Sequence, residues 1–187
     1  MFQGRLLIQP IIDMSSILKE ILDMVALPYK WIDDKRAIFS YQDKKYGIYI
    51  DFLDLKLKKI YEVCNISFGL LRSDIEKFSE NDLDTSITNF GKPRTILSTV
   101  AEACIVNQSI IKSDIICLAA SDQSKSKRLN IYSLATSEII SKVPAFNRSN
   151  TFLIKTQTGS EVIIISKFKF DIEDQLEISS SLGIDKL

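Results

Sequence analysis

The sequence predicts a mixed α+β fold: a mostly antiparallel sheet with one parallel central pair, flanked by about three helices. Three observations carry this. Alternating apolar patterns cluster between residues 36 and 68. Two stretches of helical periodicity follow Pro93 and Ser124, and one run, 114–120, continuously apolar after its first residue, lies between them. A meander needs only short connections, whereas a strand apolar on both faces is the kind that a helical crossover delivers.

Residues 6–12 form a short apolar run, an expected edge strand because Pro10 lacks the N–H that a ladder needs. Ser15 or Ser16 then caps a helix whose Ile17, Leu18, Ile21, Leu22 and Val25 recur at helical spacing until Pro28 stops it. Strands are expected at 36–41 and 47–53, around a polar turn, and at 59–68. In the last of these Ile60, Glu62, Cys64 and Ile66 face one way, and Tyr61, Val63, Asn65 and Ser67 the other. Residues 69–93 read as a long polar break holding a short helix near 73–78. A helix over 94–112 is expected to bury Ile96, Leu97, Val100, Cys104 and Ile111, with Glu102 and Gln108 outward. The central strand 114–120 follows. Ser124 then caps a second helix running to Val143, its inner face being Leu129, Tyr132, Ala135, Ile139 and Val143, until Pro144 ends it. A last hairpin pairs 151–156 with 161–168 around Gly159.

Composition narrows the chemistry. The chain of 187 residues has 24 Lys+Arg, 24 Asp+Glu and no histidine. Without imidazole there is no Ser-His-Asp or Cys-His catalysis and no His-ligated zinc or haem. Zero net charge argues against a general nucleic-acid binder, which needs a surplus of cations on one face. That zero is uneven: in residues 169–187 two lysines meet five carboxylates, leaving −3 there and +3 on residues 1–168. The reading is one domain over 1–168 with an acidic C-terminal tail, flexible or docked on the body. Cys64, Cys104 and Cys117 each lie in an apolar run and read as reduced, buried hydrophobes. No stretch approaches the ~20 apolar residues of a membrane span. The expected setting is cytoplasmic, without metal or membrane.

This element order, together with two local patterns, resembles the GNAT (Gcn5-related N-acetyltransferase) superfamily. It is most similar to GNAT-like proteins encoded in bacteriophage genomes, most of them without assigned activity. One pattern is a Thr-x-x-Gly stretch running into an apolar-x-Thr-Val helix: Thr88, Gly91, Ile96, Leu97, Thr99 and Val100. The other is a strand followed by Ser-x-x-x-Arg-x-x-x-Tyr: Ser124, Arg128 and Tyr132. The resemblance implies that the fourth and fifth strands of the core sheet splay apart. It further implies acetyl-CoA in the V between them, with its pyrophosphate on backbone N–H groups at the next helix start. Gly91, Arg94 and Thr95 would hold that pyrophosphate, and Tyr132 would protonate the leaving thiolate. Independently of the resemblance, Arg128 with Lys125 and Lys127 makes a cationic helix start, opposed by the helix dipole, that suits a bound anion. The superfamily pattern Arg/Gln-x-x-Gly-x-Gly/Ala keeps one glycine here, Gly91, and Pro93 deletes one N–H from the turn.

The expectation is therefore a GNAT-like binding or structural module without acetyl transfer and without cofactor, phage-encoded, serving in a virion or against a host factor. Its partner would be a protein or a second copy. The alternative is an active acetyl-CoA-dependent N-acetyltransferase. A weaker alternative is a nucleic-acid accessory protein using Tyr29, Trp31, Phe39, Tyr41, Tyr46, Tyr49 and Phe52, interleaved with Lys30, Lys35, Arg36, Lys44 and Lys45. Glu62 is the best placed carboxylate for a general base, with no role assigned.

Overall fold

The computed structural model describes residues 26–72, 77–84, 93–120, 127–155 and 161–181. The expected strand at 6–12 and helix ending at Val25 lie outside them, as do the Ser124 cap and Gly159. A four-strand meander opens the described chain: β1 (Tyr29–Trp31), β2 (Arg36–Tyr41), β3 (Lys44–Lys56) and β4 (Ile60–Leu71). A two-residue β5 (Leu83–Asp84) follows, then helices α1 (Pro93–Val106) and α2 (Gln108–Lys112). Next come β6 (Ile115–Ala120), α3 (Lys127–Lys142), β7 (Thr151–Lys155), β8 (Glu161–Ser166) and α4 (Ile172–Ser181). The strands form one sheet in the order β1-β2-β3-β4-β6-β8-β7, with β5 added on β4. Only β4 and β6 run parallel; every other described pair is antiparallel. This is the mixed α+β sheet that the pattern of runs predicts, with the central strand where the apolar run 114–120 puts it.

The meander forms where β-branched and aromatic residues alternate. Gln42 and Asp43, with φ of 48° and 59°, make the tight turn that joins β2 to β3. Positive φ at both central positions matches the right-handed twist of the flanking strands. Phe39 and Tyr46 face each other across this hairpin with stacked rings 5.2 Å apart.

Each sheet face carries its own core. Ala37, Phe39, Tyr46, Ile48, Ile50, Cys64, Ile66, Ile116 and Leu118 pack under α1, α2 and α3, against Ile96, Leu97, Val100, Cys104, Ile110, Ala135 and Ile139. The opposite face buries Leu55, Val63, Ile115, Cys117, Phe152, Ile154, Val162 and Ile164 beneath Phe170 and Ile178 of the C-terminal segment. Cys64 and Ile66 fall on one side and Val63 on the other, as their alternation predicts. All three thiols are free and buried.

The expected single helix over 94–112 is two helices. Asn107 separates them. Its Oδ1 accepts from the amides of Ser109 (2.9 Å) and Ile110 (3.4 Å), and its Nδ2 donates to the Asp34 carbonyl (3.2 Å). An asparagine side chain that satisfies the first free amides of the next helix competes with continued helical bonding. The register shifts accordingly, so that Ile110 rather than Ile111 is fully buried. Asn107→Ala removes both the cap and the tie to the β1–β2 turn. It is expected to cost about 1 kcal/mol, roughly 2–4 °C in thermal midpoint by calorimetry.

α4 grows out of the acidic stretch that follows Lys169. The Asp171 carboxylate accepts from the Asp174 amide (2.8 Å), and Asp174 Oδ2 accepts from the Asp171 amide (3.3 Å), a reciprocal cap at the helix start. Lys58, in the β3–β4 turn, reaches both carboxylates, 2.9 Å from Asp174 and 3.3 Å from Asp171. The Asp174 amide, with Lys58 in support, holds the Asp171 carboxyl below its ordinary range. Phe170 meets Tyr61 and Phe152 edge to face, at 5.3 and 6.4 Å. Among the described residues, no helix is long and apolar enough to cross a membrane.

Candidate functional site

The place where strand pairing changes is the junction of β4 and β6. Their parallel register runs Val63–Ile115, Cys64–Ile116, Asn65–Cys117 and Ile66–Leu118. Asp114 closes its near end: its amide donates to the Glu62 carbonyl (2.9 Å), and its Oδ2 accepts from the Glu62 amide (3.1 Å). Beyond Ile66 the two strands part. β6 keeps pairing with β8 to its last residue, while β4 continues to Leu71 alongside β3.

β5 occupies the far part of the edge that β6 leaves. Leu70 pairs with Tyr46 of β3 on one side and with Asp84 of β5 on the other, and Leu71 pairs with Leu83. Because β3 holds the same edge of β4 throughout, β5 and β6 share the opposite one. Among the described residues neither ladder extends over the stretch between them, 67–69. The Ser67 hydroxyl donates instead to Glu80 Oε1 at 2.5 Å. Glu80 begins a short 3-10 turn, Glu80–Asp82, whose Asp82 Oδ2 accepts from the amide and hydroxyl of Ser79 (2.8 and 2.9 Å). The Asp82 carboxyl consequently sits below its ordinary pKa, the Ser79 amide being the largest cause.

Two helices start at this end of the sheet. α2 leads directly into the beginning of β6, so the 14-residue α1, about 21 Å long, begins near the opposite end. α3 starts seven residues after β6 finishes, also at that end. The topology thus brings the starts of α1 and α3, with Arg94, Thr95 and Arg128 in their first turns and Tyr132 one turn further along α3, to the end where β4 and β6 part. Gly91 lies outside the described residues. The Thr95 carbonyl accepts from the Thr99 hydroxyl (2.8 Å), and that hydroxyl in turn accepts from the Leu27 amide (2.9 Å). Thr95 therefore begins a hydrogen-bonded chain that pins the segment leading into β1 against α1. Glu62 stands at the other end of β4, beside Asp114, away from the parting strands.

Sequence reasoning missed the polar cluster at this junction. Residues 69–93 read as a break, whereas β4 runs on to Leu71 and the chain returns through Ser79, Glu80 and Asp82 to form β5. The short helix expected near 73–78 falls mostly outside the described residues, and Lys77 and Phe78 are not helical. The available signal was the pair Gly47 and Gly69, which lie opposite each other once β3 and β4 are in register. Comparison with family models, curated proteins and solved structures finds no match. What fold and site define is a mixed α+β protein whose open sheet parts at the parallel pair β4–β6, the one such pair among the described residues.

Proposed function

We propose that the chain is a GNAT-like binding or structural module without acetyl transfer, of the kind encoded by bacteriophages, working through contact with a protein. The strand order supports the fold reading. A meander feeds a strand parallel to its last member, a helix follows, and a closing hairpin inserts its second strand beside the parallel one.

The observation that carries the functional reading is β5 on the edge of β4. The V in which the resemblance puts acetyl-CoA opens between β4 and β6, and its mouth is where Leu83 and Asp84 pair with Leu71 and Leu70. The backbone groups of Leu70 and Leu71, already paired within the chain, are not free for a cofactor. Pro93 as the first residue of α1 removes one further amide from the helix start that would meet a pyrophosphate. Titration of acetyl-CoA into the protein in a calorimeter is expected to give no saturable heat. A micromolar isotherm overturns the reading in favour of an acetyltransferase.

A further inference from the structure

The segment 77–84 rests on a foundation of its own. Gly47 and Gly69 face each other on the sheet face away from α1, α2 and α3. A Cβ built at Gly47 would lie 2.8 Å from Leu83 Cδ2, 2.8 Å from Phe78 Cε2 and 3.0 Å from Leu71 Cδ2. Phe78 and Leu83 fill that hollow, 3% and 4% exposed, yet belong to neither of the two main cores. Its polar ties to β4 include Ser67 to Glu80, the Arg72 amide to the Asp82 carbonyl (3.1 Å), and two residue pairs of β5. Segments with a small, separate apolar footing open as cooperative units below the threshold of global unfolding.

We propose that this segment is a built-in stand-in for a partner's peptide. It is a strap that lifts as one body and yields the edge of β4 at Leu70 and Leu71, with the glycine-floored hollow, to an extended strand bearing a bulky apolar residue. The chemistry of the occupant follows from what occupies the place now. Two residues of the strap, Leu83 and Asp84, already pair antiparallel on that edge, and its Phe78 and Leu83 show what the hollow accepts. An uncovered strand edge binds chain by main-chain hydrogen bonds, while pockets beneath alternate side chains select the sequence. The inference rests on the reading of the protein as a protein-binding module.

Native-state hydrogen exchange on the full chain tests it. The amides of Arg72 and Asp82 are expected to exchange together, about 100-fold faster than those of Ile116 and Ile164. Gly47→Val crowds the hollow and should speed the strap amides about tenfold more, leaving Ile164 unchanged. A labelled peptide of residues 77–84 should bind the Leu83→Ala chain, whose own strap is weakened, at least tenfold tighter than the native chain. It should not bind Gly47→Val. Should Gly47→Val fail to fold, Leu83→Ala alone decides. Strap amides that exchange only at the global rate, or a peptide that does not distinguish Leu83→Ala from the native chain, overturn the strap. Acetyl-CoA binding to the native chain overturns the reading beneath it and leaves the exchange pattern intact, so the two failures are separable.

Discussion

Replacing Ile116 with alanine is expected to destabilise the protein by about 2–5 kcal/mol, seen as a lower urea midpoint with an unchanged slope. Ile116 is fully buried on β6 and paired with Cys64 on β4 and Ile165 on β8. It lies in the core beneath α1, α2 and α3, so its removal leaves a void bounded by sheet and helices together. A packed interior closes such a space only partly, and the cavity adds to the lost transfer free energy. A change below about 1 kcal/mol would mean that β6 is not the centre of the sheet.

The second large effect is expected at Ile178. It is fully buried in α4 against Val63, Ile115, Cys117 and Ile164. Ile178→Asp puts a carboxylate into that apolar face, where an unpaired charge costs several kcal/mol. Besides Ile178, α4 buries Ser179, and Phe170 just ahead of it packs on the same sheet face. The Lys58 pairs are partly exposed and contribute little, and Ile172 and Leu176 point into solvent. The helix is therefore expected to leave the sheet while the other core stays folded. Cys117 reports this directly. Burial pushes its thiol up to about 12, which silences it in the native protein. Once α4 departs, one thiol equivalent should react with a disulfide reagent at neutral pH, while Cys64 and Cys104, beneath the other helices, stay protected. Three reacting thiols would show global unfolding instead, and none would show that α4 does not cover Cys117.

The elements legible in the sequence are those whose own side chains carry the signal. Cys64, Ile66 and Val63 sort to the correct faces because a strand alternates regardless of its neighbours. The run 114–120 announces a strand covered twice because both its faces need apolar residues. Ala135 and Ile139, with Val143 just past its end, give away the inner side of α3 in the same manner. The break at Asn107 was hidden because the apolar spacing of Val100, Cys104 and Ile111 runs straight through it. What ends the helix is a side-chain amide finding two backbone donors, a local contest that periodicity does not record. α4 was hidden by composition. Five carboxylates against two lysines mark the tail as acidic, yet Phe170 and Ile178 are enough to seat the helix. The strap escaped for a different reason: Gly47 and Gly69 are 22 positions apart and make a hollow only when strand pairing brings them together. Of the candidate residues, position along the chain located Arg94, Thr95, Arg128 and Tyr132 at one end of the sheet, because helices that follow strands must begin there. Ser67 and Glu80 meet across a fold that their sequence does not anticipate.

The four residue pairs that join β4 to β6 have a mechanical meaning. On one side lies a ladder built from neighbouring hairpins, β1 to β4. On the other lies β6 with the closing hairpin, β7 and β8. Contacts within the β1–β4 ladder close short loops, whereas the seam joins residues 52 positions apart and β6 meets β8 over 41 to 51, both the slow kind of contact to form; the seam, with four pairs against six, is the shorter of the two. Between the two halves the sheet's own hydrogen bonds form one short line from Val63 to Ile66, so a load drawn across the sheet would fall on those four pairs and on the helices whose cores bridge them.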